Sequence, residues 1–203
     1  MSEQPRTPDS ARRSERSRRA ILDAALELVG EVGFGKLTIE AIAARAGVGK
    51  QTIYRWWPSK ASVLFDSFLA LSEDSGGPVL PDTGDLEADL KLVLRATADE
   101  LADPKYDLPL RALTAESQHD PALARELNEK VLEPQLAAFE ARLRSARDAG
   151  RISPRADLRV ALEMLVGPLY HRWMLRTLPL THAYADSVVE TVLRGLAPGP
   201  ESV

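Results

Sequence analysis

The sequence predicts an all-α fold, and three observations carry that prediction. Leu, Ala, Glu and Arg, all good helix formers, dominate the 203 residues. Apolar positions recur at threes and fours over most of the chain, the period of a helix buried on one face. No run of β-branched residues alternates long enough to argue for a sheet. At this length one or two domains with a substantial core are expected.

Residues 1–17 are polar, with Pro5, Pro8 and arginines at 6, 12, 13 and 16, and read as a flexible basic arm. Such an arm either reaches DNA phosphates or a minor groove, or is a solvated tail. A first helix is predicted over Ser14–Val32. Ile21, Ala25, Leu28 and Val32 form one stripe, with Leu22, Leu26 and Val29 beside it. Gly33-Phe34-Gly35 ends it, and Phe34 is expected to plug the core of a small N-terminal head.

The most informative stretch is Leu37–Lys60. Thr38 is an N-cap for a helix carrying Ile39, Ile42, Ala43 and Ala46, without the glutamate of a capping box, since Ala41 stands at that place. Gly47 ends this helix by supplying a positive φ. A second helix is predicted from about Gly49 to Trp57, closed by Pro58. Ala43 allows a close crossing, and Ile42, Val48 and Ile53 supply apolar contacts. This is the pattern of a helix-turn-helix, whose second helix enters the major groove of DNA. A core helical hairpin would share the glycine turn but not the chemistry of the outward positions.

At 3.6 residues per turn, Ile53 and Trp57 point inward while Gln51 and Arg55 point away from them. Lys50 and Tyr54 lie on one flank, Thr52 and Trp56 on the other. Glutamine pairs bidentately with adenine, and arginine or lysine with guanine, so Gln51, Arg55 and Lys50 are candidate base readers. Thr52, Tyr54 and the Trp56 indole suit phosphate oxygens. Lys60 and the helix N-terminus at Thr38 would hold flanking phosphates.

The residues Thr38-Ile39, Ile42-Ala43, Ala46-Gly47-Val48, Thr52-Ile53-Tyr54, Trp57 and Ser59-Lys60, at this spacing, resemble the DNA-binding signature of TetR-family transcriptional regulators. With the preceding helix the resemblance covers about a quarter of the chain. Trp56 and Trp57 depart from it, standing where the family commonly has His or Tyr followed by Phe. The resemblance implies a first helix that braces the helix-turn-helix, a helical body that binds a small molecule, and a dimer.

Ser59 is expected to cap a connector helix running to about Leu71, and residues 73–84, rich in Gly and Pro, mark a weak boundary. Five body helices follow: Asp85–Ala102, Leu108–Ser117, Pro121–Ala149, Arg155–Leu175 and His182–Leu196. The last two are unusually apolar. They either lie inside a monomeric bundle or pair with their symmetry mates in a four-helix interface, which is the arrangement the resemblance implies. Gly167-Pro168 should disturb the penultimate helix with a kink or widened turn. A ligand cavity is placed there as an expectation, lined by Phe68, Phe139, Met164, Tyr170 and Trp173; ordinary core packing is the competing reading of each residue.

Composition narrows the rest. The chain has no cysteine, which removes disulfides, thiolate metal sites and a cysteine nucleophile. No apolar stretch approaches the ~20 residues of a membrane span, and no signal-type apolar core follows the N-terminal arginines, so a cytoplasmic protein without a membrane partner is expected. Residues 1–60 carry 11 Lys and Arg against 7 Asp and Glu, while the remainder is acidic, which suits a DNA-binding head on a body that DNA repels. Glu116 and His119 have the spacing of a di-iron motif, but Pro168 and Pro179 stand three before the other two histidines, so no second motif exists. No catalytic motif is evident, and neither a cofactor nor a metal site is expected.

The sequence therefore leads to this expectation: residues 1–17 a basic arm, 18–60 a helix-turn-helix head and 61–203 a regulatory and dimerisation body. The whole would be a homodimeric repressor that binds a palindromic operator and is released by a small-molecule effector. A ligand-independent or activating regulator, and a helical adaptor without DNA binding, are the alternatives.

Overall fold

The computed structural model describes residues 8–74 and 80–198, and among these every regular element is helical. The α-helices are α1 (Pro8–Val32), α2 (Ile39–Ala46), α3 (Lys50–Tyr54), α4 (Lys60–Asp74), α5 (Leu86–Ala102), α6 (Pro104–Ser117), α7 (Pro121–Leu127), α8 (Glu133–Asp148), α9 (Leu158–Leu175) and α10 (His182–Leu196). They divide between two compact units, one drawn from residues 1–75 and 108–125, the other from 76–107 and 126–203. The first border falls inside the Gly/Pro-rich segment, of which residues 75–79 lie outside the described ones. The unit borders also fall within α6 and α7.

In the first unit, α1 begins at Pro8, six residues before the expected start. Proline in a first turn gives up no helical hydrogen bond, and the Arg, Ser and Glu that follow are compatible with a helix despite their charge. The expected flexible arm is thus helical from residue 8, and its first seven residues lie outside the described ones. α1 packs on α2 and α4 around a shared core of Ile21, Leu22, Ala25, Leu28, Leu37, Ile42, Ile53, Trp57 and Val63. Val32 is exposed, so the α1 stripe ends one turn early, at Val29. Phe34 sits half-buried at the rim of this core, in a short 3-10 turn over Phe34–Lys36.

In the second unit, α5 and α10 run antiparallel and α9 packs on α5, α8 and α10. Asp85, Asp157 and Thr181 cap α5, α9 and α10, each accepting from a backbone N–H in the first turn. α9 starts at Leu158, behind its Asp157 cap, and stays helical through Pro168. The widened turn lies elsewhere, at Asn128–Leu132 between α7 and α8, where Glu133 N–H bonds back to Asn128 O. Pro134, one residue beyond, supplies no N–H to the carbonyl of Lys130, and the chain meets that deficit by loosening the turn before it. The helix predicted as unbroken over Pro121–Ala149 is therefore two α segments joined by a π-turn.

Long-range polar contacts hold this unit. Arg142 and Asp89, each almost wholly buried, meet at 2.8 Å, and Thr83 donates to the same carboxylate through its hydroxyl (2.7 Å) and its N–H (3.1 Å). Burial pushes the Asp89 carboxyl up, but the hydrogen bonds from Thr83 and Arg142 outweigh it and hold it below the usual carboxylate range. On the surface, Lys91–Glu190 (2.7 Å), Arg95–Asp186 (2.6 Å) and Asp99–His182 (2.8 Å) form a ladder along α5 and α10, four residues apart on both helices.

Candidate nucleic-acid interface

Thr38 caps α2 as expected, its Oγ1 accepting from Ala41 N–H at 3.1 Å. Gly47 closes the helix at φ 66°, with open space around the position a Cβ would take, so its requirement is conformational rather than steric. α3 is shorter than expected: regular helix ends at Tyr54, and the backbone reaches Pro58 through a turn in which Trp56 and Trp57 N–H both bond to Ile53 O.

The two faces of α3 sort as its spacing dictates. Ile53 is fully buried and Trp57 nearly so, its indole N–H donating to Asp66 Oδ2 on α4 at 2.9 Å. Arg18 on α1 approaches the same carboxylate at 3.5 Å, so Asp66 joins α1, α4 and the end of α3. Lys50, Gln51, Tyr54 and Arg55 are exposed, and Thr52 and Trp56 half-buried. The Arg55 guanidinium lies 4.9 Å from the Trp56 ring centre, and Trp56 meets Trp57 edge-on at 5.4 Å. That stack limits how Arg55 can swing and keeps its charge at the surface.

Two of the expected DNA-contacting cations have protein partners. Lys60 donates to Phe34 O (2.8 Å) and Leu37 O (3.0 Å), with its ammonium 4.4 Å from the centre of the Phe34 ring. It therefore ties the start of α4 to the turn leading into Thr38, a role the sequence reading missed because its partners are backbone carbonyls 23 and 26 residues away. Lys50 meets Glu40 Oε1 at 3.0 Å across α2 and α3, and Glu40 is held below the usual carboxylate range by that hydrogen bond. Behind these, Arg45 fastens α2 to α1 through Glu27 (3.1 Å) and Glu31 (2.7 Å). Opposite charges in facing helices were the only sequence signal for Glu40 and Arg45, and without the crossing geometry it selects no partner.

The expected cavity residues are not gathered in the same way. Phe68 is buried within the first unit, whereas Phe139, Met164, Tyr170 and Trp173 belong to the second. Phe139 and Trp173 are buried, but Met164 is 51% exposed on the outer face of α9. Tyr170 meets Trp173 edge-on at 5.6 Å, and the Trp173 indole donates to Asp107 Oδ1 at 2.5 Å. Burial, reinforced by the negative charge of Glu100, pushes the Tyr170 hydroxyl above its usual range. Among the described residues no cluster of His, Asp and Glu could hold a metal ion, and no helix is long and apolar enough to cross a membrane.

A capped helix, a left-handed glycine turn and a second helix with a buried Ile/Trp face and an exposed Lys/Gln/Tyr/Arg face define a helix-turn-helix DNA-binding protein. Comparison with known proteins agrees. Residues 21–66 match the family of bacterial regulatory proteins of the tetR type, and residues 80–192 match the tetracyclin repressor-like C-terminal domain. An uncharacterized HTH-type transcriptional regulator, YdeS of Bacillus subtilis (strain 168), is 31% identical over 185 residues, 91% of each chain. The DNA-binding transcriptional repressor TetR of Mycobacteroides abscessus is 30% identical over 184 residues, 89% of this chain and 94% of that protein. The crystal structure of the TetR family transcription regulator SCO0332 is 34% identical with a TM-score of 0.69, covering 90% of this chain and 99% of that one. The chain belongs to the TetR family of transcriptional regulators.

Proposed function

We propose that the protein is a dimeric, effector-released repressor acting in the cytoplasm, with residues 18–60 reading DNA, residues 61–203 regulating and dimerising, and no catalytic role. The observation that carries the reading is the division of α3 and the turn that follows it: Ile53 and Trp57 are locked inside the head while Gln51 and Arg55 face outward. Gln51, Arg55 and Lys50 would read bases, and Thr52, Tyr54, Trp56 and the Thr38 end of α2 would meet phosphates. The relative from M. abscessus, a repressor by name, supports repression over activation.

Dimerisation is assigned to α9 and α10. Both already bury one face inside their unit, yet α9 and the residues after it expose Val160, Met164, Met174, Leu175 and Leu178 as well. The first three lie on one side of α9, and α10 presents Ala183, Ser187 and Thr191 outward, small enough for close helix approach. Met164 thus fits the dimer surface better than the cavity, and the effector is placed nearer Tyr170, Trp173 and Phe139. Lys60 keeps its place in the function as the tie that makes the start of α4 move with the head, its ammonium engaged by two backbone carbonyls.

Selection from random duplex DNA with the full chain tests this reading. It should enrich an inverted repeat whose half-sites lie about one helical turn, 34–36 Å, apart. Enrichment of nothing, or of single half-sites by a protein that is monomeric in light scattering, contradicts it.

A further inference from the structure

We infer that Glu40 and Lys50 act as one unit that reads a single G·C base pair, which makes Glu40 a specificity-determining residue. The inference rests on the DNA-reading role proposed for α3 and adds a base, an orientation and a residue to it.

A carboxylate on this surface needs an explanation. Glu40 and Lys50 expose 61% and 54% of their side chains and lie immediately beside Gln51 and the Thr38 end of α2. An exposed ion pair is a weak tie between two helices that already share a buried core of Ile42, Ala43 and Ile53, so stability is a poor reason to keep it. A bare carboxylate there would repel phosphates. Paired with Lys50, it leaves a neutral element that offers a donor and an acceptor 3.0 Å apart.

The edge of a base pair in the major groove offers the complement. Guanine O6 and cytosine N4 are bonded to each other, so they lie about 2.9 Å apart, acceptor beside donor. With Lys50 Nζ over guanine and Glu40 over cytosine N4, each group of the protein pair meets its opposite. Neighbouring atoms decide among the four base pairs. Guanine gives the ammonium a second acceptor, N7, and cytosine sets no acceptor against the carboxylate. Turned onto T·A, the ammonium loses that second acceptor to a methyl group, and the carboxylate faces adenine N7, an acceptor that repels it. Reversing either pair places the ammonium over an amino group and the carboxylate over a carbonyl. One orientation of G·C is therefore favoured.

The test repeats the DNA selection with wild type, Glu40→Ala and Glu40→Gln, and measures salt dependence on the enriched duplex. Wild type should fix G·C at one position of each half-site, with about a tenfold or greater penalty for replacing it. Glu40→Ala should lose that preference at that position alone, bind unselected DNA more tightly, and show a salt slope steeper by about one, since Lys50 then meets phosphate. Glu40→Gln should keep the fold and accept adenine in place of cytosine, because its amide offers adenine both a donor and an acceptor. A wild-type inverted repeat whose base profile is unchanged in both variants would overturn the inference while leaving DNA reading intact, and Glu40 would be a tie between helices. Failure of wild type to enrich any sequence would overturn both.

Discussion

The two units use their charged side chains differently. In the first, charges near the helix-turn-helix fasten the head from behind: Arg45 to Glu27 and Glu31, Asp66 to Trp57, Lys60 to the Phe34 and Leu37 carbonyls. On the outward face of α3 the charged contact described is the exposed Lys50–Glu40 pair. In the second unit, charges join helices far apart in sequence, through the buried Arg142–Asp89 pair and the α5–α10 ladder. A surface that must meet DNA is held rigid by contacts on its far side, whereas a body with no such surface spends its charges on its own closure.

The largest expected effect breaks the buried pair. Arg142→Met leaves the Asp89 carboxylate buried without its counter-ion and should cost about 3–5 kcal/mol in a denaturation experiment. Its dependence on acid should weaken. In the wild type Asp89 is held below its unfolded value, so its contribution is present above the ordinary carboxylate range near pH 4 and is lost as pH falls through the folded value. With the guanidinium gone, the two Thr83 hydrogen bonds alone oppose burial, the folded value rises toward the unfolded one, and the variant should lose less stability than the wild type as pH falls.

Lys60→Met comes next, at roughly 2 kcal/mol, because two carbonyls lose charged donors in a half-buried place. Measured where the variant is fully folded, DNA affinity should fall with little change in salt slope. A slope reduced by about one, with stability intact, would assign Lys60 to phosphate rather than to the head. Gly47→Ala should destabilise the head by about 1–2 kcal/mol, since alanine pays for the left-handed backbone but meets no neighbour. Arg95→Ala opens one half-buried rung of the ladder and should lower the thermal midpoint only slightly, the smallest effect of the four.

The same contrast explains what the sequence made legible. Thr38, Gly47, Ile53 and Trp57 could be placed because capping, left-handed turns and a 3.6-residue period act within a few residues. The span of α10, His182–Leu196, was legible from its apolar period for the same reason, whereas its Thr181 cap was seen only in the structure. Lys60 and Arg142 could not be placed, because their partners are set by how helices cross. Pro134 was overlooked inside a strongly periodic stretch, while Pro168, beside a glycine, drew the prediction of a kink or a widened turn; the chain widens its turn at residue 128, and α9 stays helical through Pro168. Met164 looked like a cavity residue by composition, and only burial separates the outer from the inner face of a helix that is apolar all round.

The central claim is that the head reads DNA through the exposed face of α3 while its buried face only holds it. The most direct test is the affinity of Arg55→Ala for the selected operator, measured by fluorescence anisotropy beside its thermal midpoint. Loss of roughly tenfold or more in affinity, with the midpoint unchanged, is the predicted result. Wild-type affinity in that variant would contradict the account.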